Sequence, residues 1–151
     1  MSLAPDAAET LRAALIAARK AQDKDRTLVL GTILANLKNR ELELRRTPTD
    51  DEVAEVLRKG IKLRREAFEQ YGKAGRQDLA GIEEAQIRVL EEFLPPAVDP
   101  AEIRAAVREA IAGGVKDVGR VMGQVLPRFK GRAEGRVVNQ IVREELEAGT
   151  G

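Results

Sequence analysis

The sequence predicts an all-α, multihelical protein of two helical subdomains, about four helices followed by about three. Three observations carry that prediction. The chain has 151 residues and is 34% charged and 43% hydrophobic, with only 3% aromatic residues and an abundance of Ala, Leu, Glu and Arg, a mixture that favours helix over sheet. Its apolar residues recur at helical spacing throughout. Helix caps and Gly or Pro punctuation separate the periodic stretches.

The first helix is announced by Asp6 with Glu9 three residues on, the pattern of a capping box, followed by Leu11, Leu15 and Ala18. The polar run around Asp23 and Asp25 interrupts it. A second, long helix carries Leu30, Ile33, Leu34 and Leu37 toward Arg46, and its distal part, "KNRELELRR", reads as a solvated end. "TPTDDEV" starts a third: Thr49 caps, Glu52 answers from the third helical position, and Asp50 and Asp51 suit the positive end of the dipole. Val53, Val56, Leu57, Ile61, Phe68 and Tyr71 form its expected stripe. "YGKAGRQDLA" is a glycine-punctuated turn, after which a fourth helix carries Leu79, Ile82, Leu90 and Phe93 up to Pro95-Pro96.

The double proline is the expected boundary, giving an N-terminal helical subdomain 1–96 and a small C-terminal one 97–151. "DPAEI" restarts a helix with Asp99 as N-cap, Pro100 at the first position and Glu102 at the third, and Ile103, Val107 and Ile111 give it a buried face up to Gly113-Gly114. A short helix capped by Asp117 buries Val118, Val121, Met122 and Val125 and is expected to stop at Pro127. The last helix buries Val137, Val138, Ile141 and Val142.

Composition excludes much chemistry. With no cysteine and no histidine there is no disulfide, no Cys/His zinc site, no thiol nucleophile and no histidine base. No P-loop, dinucleotide fingerprint or metal-ligand spacing occurs, so neither cofactor nor metal is expected. Glu83/Glu84 and Glu91/Glu92 are adjacent on helices and diverge, reading as solvated faces and not as paired catalytic acids. No catalytic residue is identified. "MSLAPDAAET" lacks the basic flank and apolar run of a signal peptide, and no apolar run is long enough to cross a membrane, so the expectation is a cytoplasmic protein without membrane contact.

Net charge is only +1, and any affinity for nucleic acid has to come from clustering. Met1 to Pro96 holds seventeen bases and seventeen acids, whereas Lys116 to Arg143 holds seven bases and two acids, a net of +5. Within that stretch Arg128, Lys130, Arg132 and Arg136 surround Gly131 and Gly135. The helix after them turns Arg136, Asn139, Gln140 and Arg143 away from its valines. Arginines and amides bind phosphate, sugar and base edges, and free N–H groups at a helix start favour an anion. Arg128, Lys130, Arg132, Arg136, Asn139, Gln140 and Arg143 are therefore the candidate RNA-binding residues. The plainer alternative is a solvated polar face. A second basic cluster comprises Arg58, Lys59, Lys62, Arg64 and Arg65. Arg64 falls in the apolar stripe, where the expectation is a stem packed inside and a head paired with a carboxylate of the fourth helix.

"KAGRQDLAGIEEAQIRVLEEFLPP", "VGRVMGQVLPRFKGRAEG" and "VVNQIVREEL" resemble the GatB/YqeY domain family, in its stand-alone YqeY-like form. The likeness runs from "AARKAQDKDR" to the last helix. It implies an all-helical fold in two parts and kinship with the helical tail of the GatB subunit of tRNA-dependent amidotransferase, a tail that helps hold the tRNA body. The family's "KGRA-x-G" and "NQ" elements fall on Lys130, Gly131, Arg132, Ala133, Gly135, Asn139 and Gln140, and its middle-helix arginine on Arg64. The implied activity is binding of tRNA or another structured RNA. The alternatives are an adaptor that docks on an amidotransferase or an aminoacyl-tRNA synthetase, and a component of a glutamine-dependent carbon–nitrogen ligase whose chemistry lies in the relatives' complex.

Overall fold

The computed structural model describes residues 6–95, 98–129 and 132–149. The described residues form seven helices and no strand: α1 (Ala7–Lys20), α2 (Lys24–Leu44), α3 (Asp50–Lys73), α4 (Gln77–Glu91), α5 (Pro100–Ala112), α6 (Val118–Phe129) and α7 (Gly135–Gly149). Contacts divide the chain into two compact units, Met1–Leu94 and Pro95–Gly151.

In the first unit, short polar side chains set the helix starts. Asp6 accepts from the Glu9 N–H at 2.7 Å, and Asp23 accepts from the Arg26 N–H at 3.1 Å after the chain reverses through Gln22 at φ 57°. Thr49 and Glu52 complete a capping box: Thr49 Oγ1 accepts from the Glu52 N–H at 3.2 Å and Glu52 Oε1 accepts from the Thr49 N–H at 2.9 Å. Glu52 is buried and also receives both Arg46 guanidinium nitrogens, at 2.7 and 2.9 Å. Those hydrogen bonds, with the Thr49 N–H, lower its pKa to about 2.

The core of this unit joins Leu11 and Leu15 of α1, Leu30, Ile33 and Leu37 of α2, Val53, Leu57 and Ile61 of α3, and Ile87 and Leu90 of α4. Fully burying each such side chain contributes about 1.5–3 kcal/mol, which makes this cluster the dominant stabilising element of the unit. Gly60 lets α2 and α3 approach closely, since a Cβ there would stand 2.8 Å from Ile33 Cδ1.

The apolar stripe of α3 is shorter than its periodicity predicts. Phe68 is exposed and Tyr71 half-buried, and on α4 Ile82 is exposed. The residues that α3 gives to the core end at Ile61 and those of α4 are Ile87 and Leu90, so the far half of the α3–α4 pair lies outside the core cluster. The face α4 does bury runs through Ala80, Ile87 and Leu90.

In the second unit, Asp99 accepts from the Ala101 N–H at 2.9 Å with Pro100 as the first residue of α5. The core comprises Ile103, Ala106, Val107 and Ala110 of α5, Val121, Val125 and Phe129 of α6, and Val138, Ile141 and Val142 of α7. Ile111 is only partly buried, and Val137 is 36% exposed and lies off the core face. Gly114 takes φ 100° in the turn after α5, which only glycine adopts easily. The expected stop at Pro127 does not occur, and α6 continues through it to Phe129. Proline removes one hydrogen bond and disfavours helix before it. Burial of the Phe129 ring, 2% exposed, outweighs that local preference and holds the last turn.

Candidate nucleic-acid interface

The basic segment is built around Phe129. With its ring in the core, its carbonyl accepts from the N–H groups of Arg132 (2.8 Å) and Ala133 (2.9 Å). The Glu134 carbonyl then accepts from the Val137 N–H at 3.0 Å, and α7 begins at Gly135. Burial of Val138, Ile141 and Val142 fixes the rotation of α7. Arg136, Gln140 and Arg143 lie exposed on its outer side, with Asn139 half-buried beside them. Lys130 and Gly131, both named as site residues or elements from sequence, lie outside the described residues, as do Pro96 and Ala97 of the expected boundary.

The fold changes the charge of this surface. Sequence places one acid, Glu134, among its bases; the structure adds two from α5. Glu109 stands 3.5 Å from Arg128, and Glu102 stands 3.7 Å from Arg132, whose guanidinium also lies 5.9 Å from the Phe129 ring centre. Arg136 meets Glu134 at 3.3 Å, so an anion at the start of α7 would face a carboxylate there. Gln140 donates to Glu144 at 3.3 Å. Arg143 differs from these: its Nε donates to Asn139 Oδ1, a neutral acceptor, at 2.8 Å. That bond uses the amide oxygen and turns the couple into a positively charged cluster of donors.

Sequence reasoning missed the partners of α5. Taking Glu102 as zero, Glu109 lies near −20° around the helix and Arg104 and Arg108 near 200° and 240°, so acids and bases flank the apolar face on opposite sides. The acids meet α6. The bases meet α7, where Arg104 donates to Glu145 (2.6 Å) and Glu144 (2.8 Å) and Arg108 donates to Glu145 (2.8 Å). The guanidiniums hold both carboxylates below the usual range. The acidic tail after Arg143 therefore braces α7 against α5. The cue was the heptad spacing of Glu102 and Glu109 opposite the Arg104 and Arg108 pair, both at the edges of the Ile103–Val107 stripe.

Arg64 also differs from expectation. Its head is not in contact with a carboxylate: Nε donates to the Gln86 amide at 2.9 Å and Nη1 to the Gly60 carbonyl at 3.0 Å. Desolvation lowers its pKa, while Glu83 opposes that from a distance. Glu83, expected to be solvated, is half-buried on this side of α4. Among the described residues no group of three or more acidic side chains could hold a metal ion, and no helix is long and apolar enough to cross a membrane.

Residues 8–146 match the YqeY-like protein family. The chain belongs to that family. It is 37% identical over 94 residues to an uncharacterised protein of Schizosaccharomyces pombe, a match covering 62% of this chain and 76% of that one. It is 29% identical over 86 residues to the mitochondrial protein "altered inheritance of mitochondria protein 41" of Vanderwaltozyma polyspora, covering 55% of this chain and 46% of that relative. The stretches that carry the likeness include α4, α6 and most of α7.

Proposed function

We propose that this YqeY-like protein is an RNA-binding accessory protein, acting through its C-terminal unit on tRNA or another structured RNA and supplying no catalytic centre of its own. One observation carries the reading: the Arg143–Asn139 couple, an exposed guanidinium held by a neutral amide on the outer face of α7. A cation whose partner is neutral keeps its full charge for a phosphate, and the couple has donors left over for acceptor-rich sugar and base edges. Arg128, Lys130, Arg132 and Arg136 would extend the contact along the backbone, with Gln140 beside them. The likeness to the tail of GatB supports tRNA as the ligand, and the cytoplasm is the compartment we assign with it. Any glutamine-dependent carbon–nitrogen ligase activity would then belong to a complex that this chain assists.

A second reading has its own observation. Phe68 and Ile82 lie exposed on the part of the α3–α4 pair that outruns the core, a surface suited to an adaptor docking on an amidotransferase or aminoacyl-tRNA synthetase. Titration of the purified protein with fluorescent bulk tRNA at low salt separates the two. The RNA reading predicts saturable binding that weakens steeply with salt and is reduced in Arg143→Ala. Absence of binding at low salt would reject it in favour of the adaptor. Cell fractionation checks the compartment.

A further inference from the structure

We infer that Glu102 and Glu109 of α5 are built-in competitors for phosphate, carboxylates that occupy Arg132 and Arg128 in the free protein and set how tightly the basic surface takes a polyanion. The inference rests on the phosphate-binding reading and assigns a regulatory role within that same surface to residues outside the basic segment.

The geometry supports it in three ways. First, the pairs are made by the fold and not by chain neighbours: Arg128 and Glu109 are 19 residues apart in sequence. The two acids stand seven residues apart on α5, about 10 Å along its axis, on the one side that faces α6 and the segment after it. Second, the pairs are loose. Arg128 and Glu109 are 56% and 77% exposed at 3.5 Å, and Arg132 and Glu102 are 44% and 55% exposed at 3.7 Å. A cleft of about 210 Å³ lined in part by Ala106, Ala110 and Gln124 lies at the first pair. Exposed pairs of this kind shift an equilibrium only about 1.4- to 5-fold each, small enough for an incoming phosphate to displace them. Third, a carboxylate and a phosphate both present an arginine with anionic oxygen acceptors, so the two compete for the same guanidinium. The acids thereby lower the net charge of the Lys116–Arg143 stretch from +5 to +3, and a ligand has to exchange partners to bind.

The test uses the full-length protein with Glu102→Gln, Glu109→Gln and the double variant, titrated with bulk tRNA and, separately, with heparin at several salt concentrations. Glu84→Gln, which loses the partner of Arg88 in the other unit, controls for the change in net charge. Circular dichroism verifies each fold, and either single variant suffices if the double one is unstable. The expected result is tighter binding of both probes by the double variant, by about 2- to 30-fold, each single variant contributing a part and Glu84→Gln none. The salt slope should steepen by up to about one for each arginine released. If the Gln variants bind tRNA and heparin as wild type does, the competitor role is overturned, whether or not wild type binds tRNA. If they gain heparin affinity while no form binds tRNA, the competitor role stands and the RNA reading falls.

Discussion

On the α7 side of α5, Arg104 and Arg108 reach Glu145 at 2.6 and 2.8 Å, and that carboxylate keeps only 10% of its surface. On the α6 side, Arg128 and Arg132 stand 3.5 and 3.7 Å from Glu109 and Glu102, and all four side chains are at least 44% exposed. One helix thus holds arginines in two ways. The difference lies in the carboxylate and not in the exposure of the arginines, since Arg108 is 67% exposed. A shielded carboxylate shared by two guanidiniums becomes a brace; an exposed one met by a single guanidinium is weakly held and exchangeable. The first arrangement fixes α7 against α5. The second leaves its cations at the surface.

The N-terminal unit extends the comparison to a third case and the largest expected effect. Arg64 is held without any carboxylate in contact, by Gln86 and the Gly60 carbonyl. Hydrogen bonds from a charged donor contribute about 1.5–3 kcal/mol each, less where water reaches, so Arg64→Ala should destabilise the protein by about 2 kcal/mol in urea unfolding. Arg65→Ala, on an exposed side chain 3.6 Å from Glu91, should change stability by no more than about 0.5 kcal/mol. Equal effects from the two would remove Arg64's structural role.

Next in size is the brace. Glu145→Gln should lower the melting temperature of the C-terminal unit by several degrees at neutral pH. Glu145 and Glu144 have lowered pKa values when folded, so their stabilising contribution is complete above the unfolded carboxylate pKa, about 4.3, and is lost as pH falls through the folded values. Wild type and Glu145→Gln should therefore converge on acidification. Glu52 behaves alike in the other unit, with its window between about 4.3 and 2. A Glu145→Gln protein as stable as wild type at pH 7 would erase the contrast between the flanks. Smaller still is Arg128→Ala, expected within about 0.5 kcal/mol of wild type in the same urea assay. A loss above that would place Arg128 among the braces.

The sequence exposed the helices and most of their caps, because these depend on neighbours within one turn: Asp6, the Thr49–Glu52 box and Asp99–Pro100 all act where their spacing puts them. It misjudged positions whose state depends on distant chain. Phe68 and Ile82 have core periodicity but lie exposed, outside the core cluster. Pro127 has the character of a helix stop, yet the burial of Phe129 carries α6 past it. Val137 sits at the edge of its stripe. The site was legible as a run of bases on α6 and α7. Its balance was not, because Glu102 and Glu109 enter from another helix, and the pattern that brings them there is a face of α5 rather than a motif.

The smallest predicted change is also a control. Asn139→Ala should leave the salt dependence of tRNA binding almost unaltered, since an amide releases no counterion, while reducing discrimination among RNAs. A flattened slope would show that Asn139 acts mainly by holding Arg143.

The most direct measurement is the tRNA affinity of wild type and of the Arg132→Ala, Arg143→Ala double variant across a salt series, with circular dichroism establishing that both are folded. The expected result is weaker binding by the variant at low salt and a plot of log affinity against log salt flatter by about two units, roughly one for each lost phosphate contact. Equal affinities with equal slopes would mean that these arginines meet no phosphate, and that the exposed face of α7 is only a solvated one.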